Sequence, residues 1–459
     1  MVAINPQIFR EYDIRGVVDR DLTPEAVRLL GRAIGAHLGG AGGGRLALGR
    51  DNRLSSPAYY EAMAEGLCAA GRQVYGIGMA PTPCLSFAIH HLGAAGGIQI
   101  TGSHNPPEFN GFKISRGKEA LHGEEIQAIR RRIEAGLPEE AAPPGAFEEV
   151  DVRDAYLARV SESLSLARPI KVVLDAGNGV AGTVAPQAMR MIGAEVVELF
   201  CEPDGTYPHH HPDPTIEANL QDLIAAVRES GAEAGIAFDG DGDRIGVVDS
   251  SGRVILGDEL LILYSAPILA RRPGEAVVFD VKCSSRLIEA VRRMGGRPVM
   301  SPTGHSLIRA RLNEENAPLA GELSGHIFFS DGYLGYDDAI YAAARLLHLL
   351  AEGDQTLAER MAGLPPAIAT PELRIECTDE EKFGIVEDLR AHFRGKYETI
   401  EIDGARISFP KGWGLIRASN TQPALVCRFE AEDAESMNAY REEVFARLRN
   451  YPSVKLPDE

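Results

Sequence analysis

Short apolar runs recur along the chain, and each ends abruptly in polar, glycine-rich residues. Three of them open comparable stretches: RLALGRDNRLSS from Arg45, IKVVLDAGNGVAG from Ile170 and AVVFDVKCSSRL from Ala276. An apolar run of this length followed by a capped polar turn predicts a buried strand leading into a helix. Later in each stretch a further run, GGIQI, AGIAF or APLAG, leads straight into a polar tip, TGSHNPPEFNG, DGDGDR or GELSGH. Repeated strand–helix–strand order predicts parallel α/β layers with ligands beyond the carboxyl ends of the strands, so three different tips would face shared space. The last segment reads differently, with short strands TIEID, ARISF, GLIRAS and ALVCRFEA before an amphipathic helix from Asp433, an α+β pattern. Pro-rich breaks at Pro138–Gly145 and Leu364–Pro371, and a hairpin of IGVVD (Ile245–Asp249) with RVIL (Arg253–Leu256) before a helix near Asp258, divide the chain. The expected segments are 1–147, 148–255, 256–367 and 368–459.

Composition narrows the function. The chain has 459 residues, too many for a single compact core and enough to fold without staples. Its 47 Lys and Arg against 66 Asp and Glu give a net charge of −19, which speaks against a general nucleic-acid or anionic-membrane binder. An anionic ligand must then be held by a local cluster of cations. The charged N-terminus, MVAINPQIFREYDIRG, lacks the apolar core of a signal peptide. The apolar stretch Leu260–Ala270 contains Pro267 and reaches only about half of a ~20-residue membrane span. Six scattered cysteines without a CxxC pair fit reduced thiols, hence a cytoplasmic protein.

The chemistry gathers in four motifs. In FDGDGDR, Asp239, Asp241 and Asp243 would repel one another in a half-buried loop unless a cation lay among them, and Gly240 and Gly242 let the backbone curl so that they converge. Hard oxygen ligands point to Mg²⁺. An EF-hand fails, because Arg244 and Ser250 would occupy its glycine and bidentate glutamate positions. In TGSHNPPEFNGFKI, Pro106 and Pro107 fix the chain so that Ser103 stands at a rigid strand end, with His104 and Lys113 near it. Glu322, Ser324 and His326 in GELSGH alternate, so an extended segment would point them to one side, as sugar hydroxyls require. Arg417, Ser419, Asn420 and Thr421 in RASNT read as an anion clamp. Other features are discounted: the dinucleotide-like Gly177, Gly179 and Gly182 with Glu198, the His209–His211 run, Trp413 as packing, and Cys283 as a buried neutral thiol.

Together these motifs resemble the α-D-phosphohexomutase family, most closely its bacterial phosphomannomutase/phosphoglucomutase branch. The resemblance spans the chain in order: FREYDIRG, TGSHNPPEFNGFKI, FDGDGDRIGVVD, TGHS at Thr303, GELSGH and PKGWGLIRASNTQP. It implies three similar mixed-sheet α/β domains plus a C-terminal α+β domain around a central active-site cleft. It implies that Ser103 is the phosphoserine and also faces the Mg²⁺ held by Asp239, Asp241 and Asp243. Arg15, Lys113, Arg244 and His305 would serve the reaction, Lys113 and His305 in proton transfer. Tyr12, Lys282, Glu322, Ser324, His326, Arg417, Ser419, Asn420 and Thr421 would bind the sugar phosphate. Leu323 and Gln422 stand at variable positions of the motifs and touch no named role.

The implied reaction interconverts hexose 1-phosphate and hexose 6-phosphate, of mannose or glucose, through a hexose 1,6-bisphosphate that also acts as activator. Phosphoryl transfer depends mainly on positioning and charge neutralisation. Closure of a mobile last domain would exclude water and let the intermediate turn. Three other readings compete: phosphoglucosamine mutase, which shares the machinery, an NAD-dependent oxidoreductase resting on GNGVAG alone, and a non-catalytic sugar-phosphate-binding protein that retains the fold.

Overall fold

A computed structural model describes residues 4–39, 44–137, 139–141, 143–365, 367–420 and 422–456. Pro138, Ala142 and Pro366 in the two Pro-rich breaks, and Thr421 in the clamp motif, lie outside the described residues.

Four sheets follow one another along the chain, of seven, five, four and six strands. In the first three, the strand that carries the polar tip runs parallel to one neighbour and antiparallel to the next. Gly96–Ile100 pairs parallel with Leu46–Arg50 and antiparallel with Phe109–Arg116. Ala234–Phe238 does so with Lys171–Asp175 and Ile245–Asp249, and Leu319–Gly321 with Ala276–Asp280 and Ile327–Phe329. The sheets are therefore mixed, as the family resemblance implies, where strand–helix–strand order alone suggests parallel layers. The reason is loop length. A parallel return needs a crossover of about a dozen residues or more. The chain between Ile100 and Phe109, Phe238 and Ile245, or Gly321 and Ile327 is shorter and must reverse as a hairpin. Each tip is thereby fixed at both ends and stands at the carboxyl end of buried parallel strands.

Burial explains the unbroken apolar runs. Ala234–Phe238, Ile245–Asp249 and Ala276–Asp280 are buried at every residue, so neither sheet face needs polar alternation. Helices cover these faces, for example Gly257–Arg271, which accommodates Pro267, and Ala339–Ala351, capped by the Asp338 side chain on Tyr341 N. One apolar core runs through the second and third sheets, from Val172 and Ile236 to Phe279 and Leu347.

The last sheet is wholly antiparallel, covered by Lys382–Arg394 and Ala434–Leu448, the α+β unit expected, with Asp433 capping the final helix. Its own core is separate. It meets the third sheet through a polar joint. Buried Arg406 donates to the carbonyls of Val281 and Cys283, and Arg428 to that of Lys282. Trp413 packs under the Arg406 guanidinium at 3.7 Å and donates its indole N–H to Glu430 at 2.9 Å, a packing role as expected. Among the described residues no helix is long and apolar enough to cross a membrane.

Candidate active site

Ser103 sits at φ +48, in the left-handed region that non-glycine residues seldom occupy, so its loop must be held from outside. Arg53, only 1% exposed, does the holding. Its guanidinium donates to the carbonyls of Ser103 at 2.8 Å, Pro106 at 2.7 Å, Phe109 at 2.9 Å and Asn105. Asp51 lies 3.3 Å from Arg53 Nε and also accepts from Gly102 N at 3.2 Å, from Arg53 N at 3.0 Å and from Ser56 Oγ. A Cβ on Gly102 would stand 2.4 Å from the guanidinium, so glycine there serves close approach. Thr101 Oγ1 accepts from Ser103 N at 2.8 Å, and the His211 ring reaches the His104 carbonyl from the second sheet. So braced, Ser103 Oγ donates to Asp239 Oδ2 at 2.7 Å and lies 3.1 Å from His104 Nδ1.

Asp239, Asp241 and Asp243 have no solvent exposure. The two loops touch: a Cβ on Gly240 would lie 2.5 Å from the Ser103 carbonyl oxygen. Asp239 Oδ1 accepts from the backbone N–H of Asp243 and Arg244, both at 3.1 Å, which curls the loop. Lys113 Nζ meets Asp241 Oδ2 at 2.7 Å and also Asp243 Oδ2, while Thr82 donates to Asp241. Burial and the charges of Asp241 and Asp243 push Asp239 well above the carboxylate range. Burial also works to raise Asp241 and Asp243, but Lys113, with Thr82 at Asp241 and with His326 and Arg244 at Asp243, outweighs it and both lie below that range. Burial opposes the Lys113 charge in turn, yet the three carboxylates prevail and raise it. The carboxylate oxygens of the three aspartates come within 4.8 Å of one another, and Asp241 Oδ1 and Asp243 Oδ1 are buried without a hydrogen-bond partner. That donor set fits a divalent cation with hard-ligand preference, such as Mg²⁺.

The sugar-loop motif joins the metal loop directly. Arg244 and His326 form an antiparallel bridge, and Ile245 N donates to Gly325 O at 3.1 Å. Gly325 has φ +95 and a Cβ there would meet Ile245 O at 2.2 Å, so this contact requires glycine. The segment is not extended as expected: Gly325 N bonds back to Glu322 O at 3.1 Å and makes a turn. Its side chains take different partners. Glu322 accepts from Gly304 N and Ser324 Oγ, each at 3.0 Å, whereas His326 Nε2 accepts from Arg244 Nε at 2.9 Å and its Nδ1 faces Asp337 at 2.9 Å. Burial lowers His326, but Asp243 and Asp337 outweigh it and its basicity ends above an ordinary imidazole. His305 stacks on His326 at 5.6 Å, and burial brings its pKa down to about 4.

The anion clamp completes the ring. Tyr12 OH donates to Thr303 O and accepts from Asn420 Nδ2, both at 2.6 Å, and its ring lies 6.4 Å from His305. Arg417 Nε donates to Asp403 at 2.8 Å, and Asp403 also accepts from Thr303 N at 3.0 Å. Ser419 Oγ accepts from Gln422 N at 3.1 Å. Lys282 Nζ meets Glu372 at 2.9 Å and Asp280 at 3.5 Å. Arg15 bonds Asn105 of the serine loop at 2.6 Å. Contact therefore runs from Asn420 through Tyr12, His305, His326 and Asp243 to Asp239 and Ser103. A serine beside a buried aspartate triad, a loop offering Glu322 and Ser324, and a loop offering Arg417 and Asn420, each on its own hairpin, fit a phosphoryl-transfer enzyme acting on a sugar phosphate.

Comparison with known proteins agrees at every segment. Family models for phosphoglucomutase/phosphomannomutase match residues 6–139 (alpha/beta/alpha domain I), 154–252 (domain II), 256–368 (domain III) and 372–447 (C-terminal domain). A phosphomannomutase/phosphoglucomutase of Pseudomonas aeruginosa is 47% identical, covering 94% of this chain and 93% of its own. A phosphoglucomutase of Neisseria gonorrhoeae is 43% identical over the full length of both. The crystal structure of a phosphoglucomutase/phosphomannomutase family protein from Burkholderia thailandensis superposes with a TM-score of 0.92 at 42% identity, covering 99% and 100% of the two chains. The chain belongs to the phosphoglucomutase/phosphomannomutase family, within the α-D-phosphohexomutases, and is a phosphotransferase of the mutase type.

Several residues at the site carry no motif signal. Arg53, Asp51 and Thr82 follow strands as ordinary polar residues, and Asp403, Glu372 and Asp337 read as loop carboxylates. Each is the partner of a residue that the motifs do single out. The discounted features also find places. The Gly177–Gly182 run packs on the metal loop, with Val180 N bonded to Gly240 O at 3.1 Å, and Glu198 pairs with Arg190 on the surface. His210 pairs with Asp175. Cys283 is a buried thiol whose pKa burial pushes up, as expected.

Proposed function

We propose that the chain interconverts hexose 1-phosphate and hexose 6-phosphate, with mannose or glucose as the sugar, using a phosphoserine at Ser103. The observation that carries this is Ser103 Oγ held 2.7 Å from Asp239 inside the buried aspartate triad. In the first half-reaction a free sugar hydroxyl attacks phosphorus, the P–Oγ bond breaks, and the hydroxyl proton is transferred so that Ser103 leaves as a neutral serine beside hexose 1,6-bisphosphate. The bisphosphate turns over, and its other phosphoryl group returns to Ser103 by the same exchange. Added bisphosphate thus phosphorylates the free enzyme and acts as activator.

Asp239, Asp241 and Asp243 would hold Mg²⁺, with the Ser103 oxygen facing it, and the ion supplies charge neutralisation at the transferring group. Arg244 and Lys113 add positive charge there. Glu322 and Ser324 grip two sugar hydroxyls. Arg417, Ser419, Asn420, Thr421, Lys282 and Tyr12 would hold the phosphate that is not reacting. Arg15 and His305 line the space between the two phosphates. Free, mostly buried cysteines suit a cytoplasmic setting.

A coupled assay with mannose 1-phosphate and glucose 1-phosphate tests the reading. Turnover of both is expected, falling at least ~100-fold with EDTA, as removal of several kcal/mol of charge stabilisation requires, and returning with Mg²⁺. Turnover of glucosamine 6-phosphate alone, or full activity in EDTA, overturns it.

A further inference from the structure

Four donors converge on one carboxylate behind the sugar loop. Asp280 ends the inner strand Ala276–Asp280 of the third sheet and has no solvent exposure. Its Oδ1 accepts from Leu323 N at 3.2 Å and from Cys283 Sγ at 3.0 Å. Its Oδ2 accepts from Thr303 Oγ1 at 3.2 Å and lies 3.5 Å from Lys282 Nζ. Cys283 alone would make Asp280 an ordinary turn residue, since Cys283 N also bonds to Asp280 O at 3.1 Å. The bonds to Thr303 and Leu323 are different, because they reach 23 and 43 residues along the chain and close no turn.

Those two partners serve the two ends of the substrate. Leu323 stands between Glu322 and Ser324, the residues assigned to the sugar hydroxyls. Thr303 donates its N–H to Asp403, the carboxylate that holds Arg417 of the clamp, and its carbonyl accepts from Tyr12. A hydrogen-bonded relay thus runs from Arg417 through Asp403, Thr303 and Asp280 to Leu323. The turn after Asp280 is also gripped from the last sheet, by Arg406 on the carbonyls of Val281 and Cys283 and by Arg428 on that of Lys282. The sugar loop and the clamp belong to different sheets, and a rigid hexose ring meets both only when their spacing is right. A bridge that sets this spacing before binding spares the substrate the cost of ordering it.

We propose that Asp280 is a positioning residue: its carboxylate fixes the sugar loop at the distance from the phosphate clamp that one hexose phosphate spans, and so sets the affinity for the substrate. The inference rests on the sugar and phosphate assignments proposed above. An amide cannot replace the carboxylate. Asparagine offers one acceptor oxygen, so its NH₂ group must face either Leu323 N–H with the Cys283 thiol, or the Lys282 ammonium beside Thr303.

Asp280→Asn keeps the size of the side chain and should raise KM for glucose 1-phosphate by about 10- to 100-fold, the range for losing a hydrogen bond to a charged acceptor, with kcat within about threefold. Mannose and glucose differ at C2, so a grip that serves both falls on the C3 and C4 hydroxyls. On 3-deoxy- and 4-deoxyglucose 1-phosphate, which already forfeit part of that grip, the KM ratio of variant to parent should shrink by about threefold or more. Thr303→Val removes only one hydroxyl from the relay and should raise KM in the same direction, and it carries the test should Asp280→Asn not fold. In the double variant the KM effect should be smaller than the product of the single effects. A loss confined to kcat, a lowered thermal stability with KM unmoved, or an equal KM ratio on the deoxy sugars overturns the proposal. Failure of the sugar assignment is a separate result, in which Glu322→Gln leaves KM unmoved.

Discussion

Arg53 illustrates how one side chain can determine the conformation of a nucleophile it never touches through that nucleophile's side chain. Four carbonyls of the serine loop share its protons, and Asp51 balances its charge. Replacing it with methionine leaves Asp51 as an uncompensated buried charge, a defect that costs about 3–5 kcal/mol. Arg53→Met should accordingly lower the unfolding free energy by that amount in denaturant titration, and should reduce kcat more than it raises KM, because Ser103 loses its bracing. Nothing in the pattern of DNR after a strand marks its arginine as 1% exposed. Gly102 beside Ser103 permits a close approach of some neighbour. What approaches cannot be known without the fold. The motif residues were legible because their chemistry is unusual in sequence, and their partners were not because an aspartate or arginine in a loop is ordinary until its burial is seen.

Among the elements, the hairpin tips explain why so much of the site could be read early. FDGDGDR and the serine loop are each too short to cross a sheet, so their positions at strand ends follow from length and turn chemistry alone. The sugar loop turns where alternation suggests extension, because a glycine with φ +95 reverses the chain and sets His326 opposite Glu322, whose N–H its carbonyl accepts at 2.9 Å. The helix Ala339–Ala351 offers a pH test. Burial brings its cap, Asp338, up to about 6 despite its backbone and tyrosine hydrogen bonds. An unfolded aspartate titrates near 3.9, so between about pH 4 and 6 the unfolded state releases its proton first and folding becomes less favourable as pH rises. The Asp338 contribution to stability is thus largest below about pH 4 and declines by up to ~3 kcal/mol through pH 6. Denaturant titrations across this window should show that decline in the parent protein and not in Asp338→Asn; identical pH profiles would contradict the assignment.

Across the whole molecule, a net charge of −19 coexists with an anion site because the cations of that site are each pre-paired: Lys113 with the triad, Lys282 with Glu372, Arg417 with Asp403. Those carboxylates hold the cations in place at little cost in long-range field. Tyr12 ties the first segment to Thr303 and Asn420 at once, and burial raises its pKa, so its hydroxyl remains a donor at every working pH. Tyr12→Phe removes two hydrogen bonds of about 1 kcal/mol each, one of them to Asn420, and should lower the unfolding free energy by about 2 kcal/mol while raising KM for the sugar phosphate. Steady-state kinetics beside thermal unfolding separates the two effects.

The account turns on Ser103 carrying the phosphoryl group between the two ends of the sugar. Its most direct test is intact-protein mass spectrometry after incubation with hexose 1,6-bisphosphate, followed by chase with unlabelled hexose 1-phosphate. One phosphoryl group should appear, map to Ser103, and leave during the chase at a rate no slower than kcat, while Ser103→Ala neither gains it nor turns over. A phosphoryl group on another residue, or undiminished turnover in Ser103→Ala, would contradict the account.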